Sequence, residues 1–359
     1  MEEKIYLVFL HSIGFTQKKL FEIFKDKQNF KEIYENLSFE TLKKLWFSGK
    51  KIESILKYKT QLSESKIKNI IMVKKVNIIC YFDSNYPEYL KNISNPPFVL
   101  YVRGTLNNLP KIAVVWARKI STYWERVIDS LIPDISRYFS IISWGAIWCD
   151  TYAHKSCLNA QGNTISVIGT WIDIDYPVNN HKLYNEIVDN WWAIISIFPI
   201  WELWNPYNFP IRNEIVAGLS DGVLVIEAKE KSWTLITANL ALELWKELFV
   251  IPWDIFRLNS IGCNNLIKSG SAKSVSSVDD IFSEFNIYSQ GKQQTQKKTV
   301  NFNDSLEENI YQTLTSESFT INELSNKLSL SITQLSFKLS MMEISWLIKK
   351  SLGWKYEVL

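Results

Sequence analysis

Ile112-Ala113-Val114-Val115-Trp116-Ala117-Arg118 reads as a buried strand that runs into a tight turn, and a stretch of helical period follows it. The same pattern recurs along the chain. Ile141-Ile142-Ser143-Trp144-Gly145 repeats it, as do Gly169-Thr170-Trp171, Lys231-Ser232-Trp233-Thr234 and Ile251-Pro252-Trp253-Asp254. Short β-branched runs at 112–115, 140–142, 165–168, 193–197, 223–226 and 248–251 alternate with helix-length segments. That alternation is the mark of βαβ units, and it predicts an α/β fold built on a doubly wound, Rossmann-like, mostly parallel sheet over 76–284. In such sheets ligands bind beyond the carboxyl ends of the strands.

Tryptophan stands in these turns where glycine is the expected residue. A strand-to-helix turn often needs φ > 0 or a close approach of ligand to backbone, and glycine gives both without a Cβ clash. The chain has 15 Trp and only 12 Gly in 359 residues, against a usual Gly share of roughly 7%. Exchanging every Trp for Gly restores that share and leaves no Trp. The codon UGA links the two residues, since it is read as Trp in one variant code and as Gly in another. Lysine-heavy, arginine-poor usage suits an A+T-rich genome, where such recoding occurs. The reading is therefore that UGA-encoded glycines stand here as Trp, foremost at 116, 144, 148, 171, 233 and 253. A genuinely Trp-rich core is the plain alternative. A Trp platform stacking on bases is another, but platforms need no helix-start turns, and Trp191-Trp192 looks like an ordinary Gly-Gly. Taken literally, the indoles at 116, 144 and 171 should crowd the crevice.

Length suggests two or three domains with ample core. A net charge of +3 is too small to announce a nucleic-acid binder by itself. Four Cys (80, 149, 157 and 263) and three His (11, 154 and 181) show no CxxC or HxxxH spacing. The expectation is buried free thiols, a reducing compartment and no metal site. Met1-Glu2-Glu3-Lys4 is acidic at once, and the apolar run at 5–10 is too short for a signal peptide. With no run of about 18 apolar residues, no membrane span is expected. These points describe a cytoplasmic protein without a membrane partner.

Residues 1–72 carry apolar residues at helical spacing, with tight turns at His11-Ser12-Ile13-Gly14-Phe15 and Leu45-Trp46-Phe47-Ser48-Gly49. They read as a helical domain, either a generic adaptor or a helix-hairpin-helix (SAM-like) module that touches DNA backbone. Residues 285–304 are rich in Gln, Lys, Ser and Asn and read as a linker. Residues 305–359 suggest three short helices and two wing strands, the latter at 344–348 and 356–358. This winged-helix shape suits a protein-interaction module as well as a DNA reader. Its stretch 322–339 carries only Lys327 and Lys338, so no basic recognition helix stands out.

All three segments resemble the DNA-processing protein A family (DprA, also called Smf). Tyr86-Pro87-Glu88-Tyr89-Leu90 and residues 96–104 resemble the start of its Rossmann domain. Residues 114–118 resemble its Val-Gly-Ser/Thr-Arg turn, with Trp116 in place of the glycine. Residues 143–150, continuing to Ala153-His154, resemble its Ser-Gly-x-Ala-x-Gly-x-Asp-x-x-Ala-His element. Asp175-Tyr176-Pro177, Asn180-His181-Lys182-Leu183 and Phe209-Pro210-Ile211-Arg212-Asn213 follow in family order. So do Val225-Ile226-Glu227-Ala228, residues 232–238 and Gly262-Cys263-Asn264-Asn265-Leu266-Ile267. One such motif is weak, but this many in order are specific.

The resemblance implies single-stranded DNA binding in the Rossmann domain, a homodimer through that domain, and loading of RecA recombinase onto DNA taken up in natural transformation. It places the DNA site at Trp116, Ala117, Arg118, Lys119, Ser143, Trp144, Gly145, Asp150, Phe209, Arg212 and Asn213, with no cofactor. Arg118 can fork to a phosphate, unless it pairs with a carboxylate such as Asp150. Phe209 can stack on a base or belong to the core. Glu214 departs from the family, which usually has Arg after Arg212-Asn213, and Gly270-Ser271 replaces a usual Gly-Ala.

An enzyme on the same scaffold, a nucleotide phosphoribohydrolase or a nucleotide-binding sensor, is the competing reading. Phosphoribohydrolases carry Pro-Gly-Gly-x-Gly-Thr-x-x-Glu, whereas 227–238 lacks the Pro-Gly-Gly and has Thr237 in place of that Glu. Glu227 then reads as a hydrogen-bonder that holds a loop, and His154 as a structural hydrogen-bonder on its helix. A dehydrogenase needs a G-x-G-x-x-G after a strand, and none is present even with glycines restored. No catalytic residue is expected.

Overall fold

The structure, a computed structural model, describes residues 2–25, 29–116, 122–147, 149–200, 205–287, 304–345, 347–350 and 354–358. Six helices come first: α1 (Glu2–Ser12), α2 (Gln17–Phe24), α3 (Phe30–Glu35), α4 (Phe39–Lys44), α5 (Gly49–Gln61) and α6 (Glu64–Val73). The sheet and its helices follow as β1 (Val76–Cys80), β2 (Val99–Arg103), β3 (Lys111–Trp116), α7 (Thr122–Ile135), β4 (Ser140–Ser143), α8 (Cys149–Asn159), β5 (Thr164–Val167), α9 (His181–Asp189), β6 (Ala193–Ser196), α10 (Asn208–Leu219), β7 (Gly222–Glu227), α11 (Trp233–Glu243), β8 (Glu247–Val250), α12 (Ile261–Lys268), β9 (Lys273–Ser274) and α13 (Val278–Glu284).

These nine strands form one sheet in the order β1-β2-β6-β5-β4-β3-β7-β8-β9. All pairings from β6 to β9 are parallel. The runs expected as strands are strands, and β3 to β7 are buried along their whole length, as a sheet covered on both faces requires. The fold is thus a Rossmann-like α/β fold. Two antiparallel strands not foreseen extend it: β2 pairs with β6, and β1 with β2. From β3 the chain steps outward to β4, β5 and β6, then returns to place β7 on the other side of β3. A crevice opens at such a reversal, beyond the carboxyl ends of the strands.

The first six helices share a buried cluster with the sheet. Leu7, Leu10, Phe24 and Ile55 sit with Phe98, Tyr101, Tyr184 and Ile194, so residues 1–288 form one unit. Gln17 at the start of α2 accepts from the Val99 N–H at 3.0 Å and donates to the Ile197 carbonyl at 2.7 Å. The neighbouring turn at 11–15 is docked inward: Ile13 and Phe15 are buried, and His11 Nδ1 lies 2.8 Å from the Tyr101 hydroxyl. In that turn only Ser12 and Gly14 are partly exposed, whereas the turn at 45–49 is largely exposed.

The second unit, residues 289–359, holds α14 (Ser305–Ser316), β10 (Phe319–Thr320), α15 (Ile321–Leu328), α16 (Ile332–Ile344), β11 (Ile348–Lys350) and β12 (Lys355–Val358). Its sheet runs β10-β12-β11, and its core is built from Ile310, Leu314, Leu324, Leu335, Leu339, Met342, Ile348 and Tyr356. The wing strands expected at 344–348 and 356–358 lie instead at 348–350 and 355–358. The helix continues through Ile344 because Leu335, Leu339 and Met342 face the core one turn apart, while Ile344 itself is 72% exposed.

Candidate functional site

The strand-order reversal lies where β3 stands between β4 and β7. In the sheet register Trp116 faces Glu227, with an irregularity in the pairing just before it. Ala117, Arg118 and Lys119, the next residues of the expected site, lie outside the described residues, as does Trp148. Ser143 ends β4 with its hydroxyl 2.8 Å from the Val114 carbonyl and 3.1 Å from Asp150 Oδ1. Asp150 stands in the first turn of α8, where a carboxylate meets free N–H groups and the positive end of the helix dipole. Its Oδ2 accepts from the Ala146 N–H at 2.6 Å.

Gly145 makes the turn between them at φ +71°. A Cβ there would lie 2.5 Å from the Tyr184 hydroxyl and 2.6 Å from Ser166 Oγ, so both the backbone and the space demand glycine. Its carbonyl accepts from Tyr184 Oη and from Asn180 Nδ2, each at 3.0 Å. Asn180 was in sight as part of a motif, but its part in pinning this turn was not. Tyr184 and Ser166 carried no signal at all.

Burial pushes the Asp150 carboxyl up to about 6. The Ala146 N–H, the Arg212 charge, the Ser143 hydroxyl and the Trp144 N–H pull the other way. Arg212 on α10 is itself buried at 5% exposure. Its Nη1 donates to the Trp144 carbonyl at 3.1 Å and the Val167 carbonyl at 3.2 Å, and its Nε to Asn213 Oδ1 at 3.3 Å. The guanidinium carbon sits 5.2 Å from the Trp144 ring and 5.4 Å from the Phe209 ring, cation–π distances. Expected as a crevice cation for phosphate, Arg212 here ties the chain leaving β4 to the end of β5.

Of the expected site residues that are described, Trp116, Ser143, Trp144, Gly145, Asp150, Arg212 and Asn213 are all buried; Phe209 is half-buried. The three indoles expected to crowd one crevice enter three separate clusters. Trp116 packs with Ile128 and Ile226, Trp144 with the cluster of Val115 and Val225, and Trp171 against Tyr101 beneath the N-terminal helices, 4.6 Å between rings.

Glu227, buried at the end of β7, accepts from Asn259 Nδ2 at 3.3 Å. The Asn259 carbonyl in turn accepts from the Ala228 N–H, so the loop-holding role stands. His154 Nδ1 lies 2.6 Å from Thr164 Oγ1, and burial lowers its pKa to about 3, which keeps the ring neutral. The four cysteines are free and buried. Among the described residues no group of His, Cys, Asp and Glu is arranged to hold a metal, and no helix is long and apolar enough to cross a membrane. On α16, Lys338 is paired with Asp304 and Glu307, and Lys327 on α15 lies over the Phe319 ring.

Residues 77–286, more than half the chain and all of the sheet apart from its first residue, match the family described as DNA recombination-mediator protein A. The chain belongs to this family. It is 38% identical over 205 residues to the DNA processing protein DprA of Streptococcus pneumoniae, covering 56% of this chain and 72% of that one. To DprA of Bacillus subtilis it is 36% identical over 213 residues, 58% and 71% of the two chains. Among solved structures, DprA from Streptococcus pneumoniae superposes with a TM-score of 0.66 at 29% identity, over 78% of this chain and 97% of that one. DprA from Helicobacter pylori, described for its single-stranded DNA binding mode, gives 0.53 at 27% identity, over 59% and 96%.

Proposed function

We propose that this protein is a single-stranded-DNA-binding recombination mediator that acts as a homodimer in the cytoplasm, protects incoming DNA and loads RecA recombinase onto it during natural transformation. The observation that carries the reading is the family match at 77–286, which contains the strand-order reversal and every turn around it. The DNA-binding Helicobacter pylori relative supports the ligand. The phosphate-binding charge is proposed to come from Arg118 and Lys119, which follow β3 in the sequence.

Single-strand binding is expected to be salt-sensitive, with a slope near −0.7 per phosphate neutralised. Arg118→Ala, made in the chain carrying Gly at 116, 144 and 148, should weaken binding to any sequence and flatten that slope by roughly one contact. Fluorescence anisotropy of an oligothymidine at several salt concentrations measures both. Unchanged affinity with an unchanged slope removes Arg118 from the site.

The protein is proposed to have no catalytic activity. Thr237, in place of the phosphoribohydrolase Glu, is buried in α11 with its hydroxyl 3.4 Å from the Trp233 carbonyl of its own helix, and it offers no carboxylate to a ribosyl bond. Incubation with nucleoside monophosphates should leave them intact by chromatography. Steady release of free base would restore the enzyme reading.

A further inference from the structure

We infer that the backbone at 46, 191, 245 and 354 is built for glycine and that the native polypeptide carries glycine there. Among the described residues eight non-glycine residues have positive φ, and four are tryptophans: Trp46 (63°), Trp191 (67°), Trp245 (56°) and Trp354 (64°). The other four, Lys75, Gln161, Asn286 and Ser329, are polar. Trp is a minor residue of the chain, 15 of 359, yet it supplies half of this set.

The hydrogen bonds say why the conformation is needed. After α4 the Trp46 N–H reaches the Lys43 carbonyl at 3.0 Å and the Phe47 N–H the Leu42 carbonyl at 3.2 Å. After α9 the Trp191 N–H reaches Val188 and the Trp192 N–H reaches Ile187, at 3.0 and 2.9 Å. After α11 the Trp245 N–H reaches Leu242 and the Lys246 N–H reaches Ala241, at 3.1 and 2.9 Å. Each is the paired closure of a Schellman motif, whose left-handed residue is most often glycine because a Cβ is strained there. Trp354 takes the same conformation just before β12, in the wing.

The side chains gain little in exchange, Trp354 having the Lys350 ammonium 4.1 Å from its ring centre. Trp46, Trp191, Trp245 and Trp354 are 89%, 76%, 94% and 75% exposed, although Trp is among the residues that bury most surface. Buried tryptophans fare no better: the indole N–H groups of Trp124, Trp144 and Trp171 have no hydrogen-bond partner, where a buried N–H nearly always finds one. Indoles are thus exposed where they strain the backbone and unsatisfied at three of the four buried positions among the described residues. All four left-handed sites lie outside the strand-to-helix turns, so they bear on the identity of the residue independently of those turns. The inference stands apart from the DNA-binding reading.

Two measurements test it. Peptide mass spectrometry on the protein from its source cells should find glycine at all four positions, and tryptophan at any of them overturns the inference. In the Trp-bearing chain, W46G, W191G and W245G should each raise the melting midpoint by roughly 2–4 °C. W46A, W191A and W245A remove the indole but keep the Cβ, and should fall short of their glycine counterparts. Alanine variants as stable as the glycine variants overturn it, because the left-handed backbone would then not be what selects the residue.

Discussion

Arg212→Ala is expected to cost the fold roughly 3–5 kcal/mol, the loss typical of removing one member of a buried charged network. The truncation leaves the Trp144 and Val167 carbonyls without their shared donor. It also takes away a positive charge that favours ionised Asp150, and the ring contacts to Trp144 and Phe209. In a unit of this size the loss should lower the melting midpoint by about 10 °C. Arg212→Lys should recover only part of it, because an ammonium cannot span two carbonyls and a neighbouring amide as a planar guanidinium does. If Arg212 were mainly a phosphate contact, alanine would weaken DNA binding and leave the melting curve in place. A change below about 1 kcal/mol, the range of a solvent-exposed charge, would sink the structural assignment.

What the sequence made legible follows from how each element is stabilised. β3 to β8 announce themselves because strands covered on both faces must be continuous apolar runs. β1 and β2 do not, since no α-helix lies between Val76–Cys80 and Val99–Arg103 to give the βαβ rhythm, and their antiparallel pairing is a tertiary event. β10 has two residues and exists only through its ladder with β12. At the site, the turns were visible as motifs because their shape depends on local backbone, as Gly145 illustrates. Arg212 was visible as an arginine near the crevice but not as a strut. Its direction depends on two carbonyls that the fold brings together from residues 144 and 167. The separation of Trp116, Trp144 and Trp171 into three clusters has the same origin: successive side chains along a strand point to opposite faces, the β3–β4 register puts Trp116 one step past the position opposite Trp144, and the third lies under helices whose docking no periodicity reveals.

Asp150→Asn should change the pH dependence of stability in a defined window. The carboxyl titrates near 3.8 in an unfolded chain and near 6 in the folded one. Between those values the folded state holds a proton that the unfolded state has released, so stability falls as pH rises through the window. The contribution is fully present below about pH 4, is lost as pH passes 6, and is constant above. Two pKa units correspond to roughly 3 kcal/mol, making this the second large effect expected at the site. The asparagine variant keeps the shape and an acceptor for the Ala146 N–H but cannot ionise. The difference in unfolding free energy between wild type and variant, measured by urea titration at intervals from pH 4 to 7, should therefore move in the variant's favour as pH rises. Other carboxylates titrate in both proteins and cancel. Because the Arg212 charge holds this pKa down, the window should extend to higher pH in Arg212→Ala, and the two substitutions should be non-additive. A wild-type-to-variant difference that stays flat from pH 4 to 7 would mean that Asp150 is ionised throughout, compensated by more positive charge than Arg212 supplies.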